Sequence, residues 1–186
     1  MKKITYNFGV ELDWVEQFAS ELEGKVEGNF ILVPDHIHTG DVYFSNFGIG
    51  ISVLYINVMY KTDIHFRQEN KTDDFIGFYY NLTEGDSVLL PDKVTNSIGK
   101  LNRNLVILDS TLHSDYIVKA ESKTFVLCVF IKKELIIKYF RDNHFPKGHA
   151  EEILDLYLNT IVKFTRLSNV SNDLLNNLYK QEVGGT

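Results

Sequence analysis

Asp35-His36-Ile37-His38, with Asp41 just downstream, is the densest group of metal-capable side chains in the chain. Residues two apart on an extended strand share a face, so His36 and His38 could reach one cation. The same stretch, from Pro34 to Asp41, also has the composition of a turn, where polar residues gather without any ligand. The turn reading is preferred, and neither a metal ligand nor a cofactor is assigned. Cys128 sits between Leu127 and Val129, with no Lys, Arg or His nearby in sequence to lower its pKa; it is expected in the core, not as a nucleophile. His65, His113, His144 and His149 are scattered, and no nucleophile-elbow, zincin, P-loop or dinucleotide-binding spacing occurs. No catalytic residue is assigned, and the chain is expected not to be an enzyme.

The elements that would position these side chains fall into three stretches. Over residues 10–22, Leu12, Val15, Phe18, Ala19 and Leu22 recur at helical spacing, and Gly24 follows at a C-cap position. Residues 30–34, 41–47, 50–59, 75–82, 87–90, 105–108 and 123–131 are rich in Val, Ile, Phe and Tyr and are bounded by turn formers, as strands are. No helical period intervenes to build crossovers, so an antiparallel sandwich or small barrel is expected. Beyond it the chain reads as helical. Residues 132–141 place Leu135, Ile136, Tyr139 and Phe140 on one face. Residues 150–167 carry a wide apolar face that includes Leu154, Tyr157, Leu158, Ile161 and Val162. Ser171 is the expected N-cap of a last helix. These five apolar residues are assigned to a two-fold dimer interface, because packing on one barrel edge does not hide so wide a face. The expected fold class is therefore α+β. Residues 1–131 form an N-terminal helix and barrel, and residues 132–186 form a helical dimerisation segment.

Composition narrows the function classes. The 186 residues contain 19 Lys+Arg and 25 Asp+Glu, for a formal charge of −6, and the pI is about 5.5. A surface that grips phosphate backbones is usually basic, so this chain is not expected to contact DNA itself. Lys132, Lys133, Lys138, Arg141 and Lys147, against Glu134 and Asp142, form a locally basic stretch that a solvated helix face explains. No helix-turn-helix pair occurs in the 186 residues. The N-terminus lacks the apolar run of a signal peptide, no window is long enough for a membrane span, and the lone Cys suits a reducing compartment. A cytoplasmic location is expected.

Two resemblances add to this. Gly85-Asp86-Ser87-Val88-Leu89-Leu90-Pro91 resembles the second half-motif of cupin barrels, in which five residues separate Gly and Pro. After Pro91 that pattern calls for a Gly and a metal-binding His; Lys93 and Asn96 stand there instead. A barrel turn is supported and a cupin metal centre is not. More broadly, the chain resembles the N-terminal sensing domain of AraC-type transcriptional regulators, of the branch common in Bacteroidetes. The residues that carry this begin with Phe18-Ala19-Ser20-Glu21-Leu22-Glu23-Gly24 leading into Phe30-Ile31-Leu32-Val33-Pro34. Gly48-Ile49-Gly50-Ile51-Ser52-Val53-Leu54 follows, then Phe75-Ile76-Gly77-Phe78-Tyr79-Tyr80-Asn81-Leu82 before Glu84-Gly85-Asp86. The strand-to-helix junction after Ile131 completes it.

The resemblance implies a cupin-like barrel that binds a small-molecule effector, a homodimer formed through C-terminal helices, and operator DNA bound by a helix-turn-helix domain not contained in this chain. Gly184-Gly185 resembles the start of a linker to such a domain. Effectors in the family range from sugars to aromatic and lipid-like compounds. Alternation along 75–82 separates Phe75, Gly77, Tyr79 and Asn81 from Ile76, Phe78, Tyr80 and Leu82 without saying which set faces inward. Tyr55, Asn57, His65, Arg67, Tyr79 and Asn81 are taken as candidate ligand contacts. Two other readings remain open: a free-standing cupin-like enzyme such as an isomerase or dioxygenase, and an interaction domain whose barrel is filled by its own side chains.

Overall fold

Period-two alternation of apolar residues dominates the molecule, and strands stacked face to face bury it. The computed structural model describes residues 1–84, 87–91, 96–143, 162–166, 173, 174 and 177. In chain order the elements are β1 (Lys2–Tyr6), α1 (Val15–Glu21), β2 (Lys25–Glu27), β3 (Phe30–Leu32), β4 (His38–Asn46), β5 (Ile51–Tyr60), β6 (Ile64–Gln68) and β7 (Phe75–Asn81). They continue with β8 (Ser87–Pro91), β9 (Asn96–Ser97), β10 (Leu105–Asp109), β11 (Ser114–Val118), β12 (Lys123–Lys132), α2 (Lys133–Asp142) and β13 (Val162–Thr165). A large sheet has the order β13-β10-β7-β12-β5-β4-β3-β2, and a small one β1-β6-β11-β8-β9. Among the described residues the strand ladders are antiparallel except β1 with β6, where Lys2 lies opposite Ile64 in a parallel ladder. The α+β class stands.

The two sheets share one apolar core. Leu54 and Val58 of β5, Val126, Cys128 and Phe130 of β12 and Phe75 of β7 meet Ile4 and Tyr6 of β1, Ile64 and Phe66 of β6 and Val118 of β11. Helix α1 closes one end. Its Val15, Phe18 and Ala19 are buried, and Trp14 just before it is 2% exposed. The rings form a chain: Trp14 to Phe8 at 4.7 Å, Phe8 to Phe130 at 4.9 Å, and Phe18 to Tyr6 at 5.4 Å between centroids. Trp14 Nε1 donates to Gly9 O at 2.8 Å, so the indole nitrogen is satisfied inside this plug.

The helix expected over 10–22 is shorter at its start. Leu12 adopts φ +60° and accepts from Val15 N at 3.3 Å, a turn that re-aims the chain before α1. Its C-terminus closes with Glu23 N donating to Ser20 O and Gly24 N to Ala19 O, the Schellman pattern. The left-handed residue there is Glu23, at φ +60°, and not Gly24. Gly24 is required for a different reason: a Cβ on it would lie 2.3 Å from Leu32 O of β3.

The C-terminal reading changes more. Helix α2 forms as expected over Lys133–Asp142. Lys133 Nζ donates to Asp109 Oδ1 at 2.9 Å, and Thr111 N and Oγ1 converge on the same oxygen at 3.0 Å each. That bond ties α2 to the end of β10. Part of the expected helix 150–167 is instead strand β13, with Val162 opposite Leu108 and Thr165 opposite Leu105. Val-Lys-Phe-Thr has strong strand preference, and the edge of β10 offers backbone groups to pair. Val162 therefore sits at the edge of the large sheet, not on a helical interface. Leu154, Tyr157, Leu158, Ile161 and Ser171 lie outside the described residues. Among the described residues no helix is long and apolar enough to cross a membrane.

His36 and His38 do not converge. His36 is on the surface, 3.2 Å from Glu23 Oε2, whereas His38 is 2% exposed and edge-on to the Tyr60 ring at 5.7 Å. Neither His38 ring nitrogen has a partner. Burial lowers its pKa from the usual histidine value to about 4, against the opposing pull of Asp35 and Asp41. The unfolded state then binds a proton that the folded state refuses. Stability is unaffected above about pH 6.5 and falls as the pH drops towards 4, by on the order of 3 kcal/mol. Urea denaturation of wild type and His38→Leu at pH 7 and pH 4 measures this: the variant is expected to lose less stability on acidification by about that amount.

Candidate functional site: an uncharged cavity between the sheets

The inward faces of the central strands do not meet completely. A cavity of about 70 Å³ remains between them. Its apolar walls are Ile56 of β5, Val126 and Cys128 of β12, Val106 and Leu108 of β10, and Ile98, with Phe8 and Phe18 at the plugged end. Among the described residues no Asp, Glu, Lys, Arg or His lines it. This space is small beside the ~300–1,000 Å³ of ordinary ligand pockets.

The polar groups that reach the cavity centre on Gln68, the last residue of β6. It is 3% exposed and in phase with Ile64 and Phe66, so the alternation that buries those two turns its amide inward. Gln68 Oε1 accepts from Tyr79 OH at 3.2 Å, Ser114 Oγ at 3.4 Å and Tyr6 OH at 3.5 Å. Its Nε2 donates to Asn70 Oδ1 at 3.1 Å, and Asn70 in turn donates from Nδ2 to Ser110 O at 3.1 Å. One amide thus joins β1, β7 and β11 across the interior. Asn81 Oδ1 accepts from Thr83 N at 2.9 Å, which fixes its side chain at the end of β7.

One cavity-lining hydroxyl stands apart from this network. Thr124 of β12 is 1% exposed, and its Oγ1 has no hydrogen-bond partner. Thr124 is in phase with Val126 and Cys128, so it shares their inward face. The ionisable groups nearby stay neutral. Burial raises the Tyr6, Tyr60 and Tyr79 hydroxyls far above the ordinary tyrosine value and pushes the Cys128 thiol up as well. A neutral thiol without a base is inert, in accord with the core position expected for Cys128. Among the described residues no three His, Cys, Asp or Glu side chains lie close enough together to hold a metal ion.

Of the six candidate ligand contacts, Tyr79 and Asn81 line the cavity. The other four face away. Tyr55 packs edge-on to Phe125 at 5.4 Å on the outer face of the large sheet, and Asn57 follows two residues along the same strand face. His65 is 2.6 Å from Asp115 Oδ1, and Arg67 donates to Glu69 Oε1 at 2.6 Å, both on the outer face of the small sheet. Gln68, Ser114 and Thr124 line the cavity as well. The signal for Gln68 and Thr124 was a polar residue in phase with an apolar stripe: Ile64-x-Phe66-x-Gln68 and Thr124-x-Val126-x-Cys128.

Gln68→Leu is expected to destabilise the fold by about 1–3 kcal/mol, because it leaves the Tyr79 and Ser114 hydroxyls buried without their acceptor. The double variant Gln68→Leu/Tyr79→Phe should recover part of that loss. Denaturant titration of the three proteins tests both statements.

Comparison with known proteins supplies no relative: no protein-family model, no curated protein and no solved structure matches the chain.

Proposed function

We propose that this chain is a small-molecule sensing and dimerisation module of an AraC-type transcriptional regulator. The observation that carries the proposal is the strand order. β5-β12-β7-β10 faces β6-β11-β8-β9, and from β5 to β12 successive strands alternate between the sheets except at β8 to β9. Helix α2 leaves β12 directly, so the path out of the barrel begins on a strand that lines the cavity.

In this reading an effector occupies the cavity and biases the segment beyond α2, a coupling of typically ~1–3 kcal/mol. The module pairs with a second copy through Leu154, Tyr157, Leu158 and Ile161, and acts in the cytoplasm. Operator DNA is left to a helix-turn-helix domain elsewhere in the regulator, in keeping with the net charge of −6 on this part.

A thermal-shift screen of small neutral metabolites tests the sensing half. An effector at ~100 times its Kd adds about 2.7 kcal/mol, which is roughly 5–10 °C for a chain of this size. The shift should vanish in Cys128→Leu, whose larger side chain fills the cavity. If stabilising compounds act equally on wild type and Cys128→Leu, sensing through the cavity is wrong. Sedimentation tests the other half: the chain is expected to be dimeric at micromolar concentration, and Leu158→Asp monomeric with unchanged strand content.

A further inference from the structure

The cavity lining includes a buried hydroxyl with no hydrogen-bond partner. Gln68 has its amide oxygen and nitrogen engaged, and the Tyr79 and Ser114 hydroxyls are bound to it. Thr124 Oγ1 lines the space without a partner, at 1% exposure. A buried hydroxyl in that state is costly, and a donor or acceptor brought in from outside would relieve the cost. Val126, Cys128, Ile56 and Val106 contribute apolar surface to the same lining.

Charge and size restrict what can bring that group in. With no ionised side chain among the described lining residues, a carboxylate or ammonium would enter without a counter-charge from them and pay a large desolvation cost. A sugar carries several hydroxyls and would leave most of them unmatched in a lining whose exposed surface is mostly apolar. Volume points the same way. A dry cavity of ~150 Å³ accommodates benzene, and the present one is about 70 Å³, so the occupant is smaller still or the walls yield to admit it.

We infer that the cavity binds a small neutral amphiphile, an apolar body bearing a single hydroxyl or carbonyl group that hydrogen-bonds to Thr124 Oγ1. This rests on the sensing function proposed above and narrows its effector to simple alcohols, phenols and ketones, with sugars and acids excluded.

Isobutanol, isopentane and isobutyrate serve as probes of nearly equal size, titrated into isotope-labelled protein and followed by NMR at Thr124, Val126 and Tyr79. Isobutanol is expected to shift these signals saturably, and isobutyrate is expected not to. The deciding quantity is the ratio of isobutanol to isopentane affinity, because it cancels the general hydrophobic contribution. Thr124→Val should lower that ratio about tenfold, and Thr124→Ser should preserve it. Thr124→Val should also melt at a higher temperature than wild type when no probe is present, since it removes an unpaired buried hydroxyl. An unchanged ratio with both probes bound overturns the ligand class and leaves cavity binding intact. A lower melting point for a well-folded Thr124→Val shows that the hydroxyl already has a partner, and overturns the premise. If no probe shifts the cavity signals, the sensing function falls as well.

Discussion

Everything in this molecule depends on the register of β12. It is hydrogen-bonded along both edges, to β5 from Lys123↔Met59 to Ile131↔Ile51 and to β7 from Val126↔Asn81 to Lys132↔Phe75. A strand held on both sides cannot slip by one residue without exchanging its faces. In the observed register Thr124, Val126, Cys128 and Phe130 point inward. Phe130 joins the aromatic plug, Cys128 and Val126 line the cavity, and Thr124 brings an unpaired hydroxyl to it. A slip would expose Phe130, bury Lys123 and erase the cavity wall.

The polar interior is kept neutral throughout. A buried charge without a partner costs more than any single hydrogen bond returns, so this fold buries amides and hydroxyls instead. Where a charge is buried, at Asp109, Lys133 and Thr111 meet it at the end of β10. His38 accepts the same constraint by remaining unprotonated. Lys132 is paired with Glu11 and Lys133 with Asp109, so two cations of the basic stretch near α2 serve local structure instead of forming an open positive face.

Several features were legible in the residues alone. Seven strands, the start of α2, the turn composition around Pro34 and the buried, inert nature of Cys128 follow from alternation, β-branched content and the absence of charged neighbours. Six strands were not anticipated. β1 and β6 show why: in Lys2-Lys3-Ile4-Thr5-Tyr6 and Ile64-His65-Phe66-Arg67-Gln68 half of each strand is charged or polar, and only the partner sheet reveals that the other half is core. Val162–Thr165 was read as helix because its apolar spacing also fits a 3.6-residue period. A short apolar run is ambiguous in that way until an open sheet edge, here β10, claims it.

The candidate site divides along the same line. Period-two alternation determines that Tyr79 and Asn81 share a face, as do Tyr55 and Asn57, and that part needs no structure. Which face is interior is decided by the opposite sheet, because alternation is symmetric and burial is not. Tyr79 and Asn81 turned inward beside Gln68, while Tyr55 found Phe125 on the outside. A hydrogen-bond hub drawn from β1, β6, β7 and β11, and a threonine left without a partner, are properties of strands distant in sequence. They exist only once both sheets have closed over the same space.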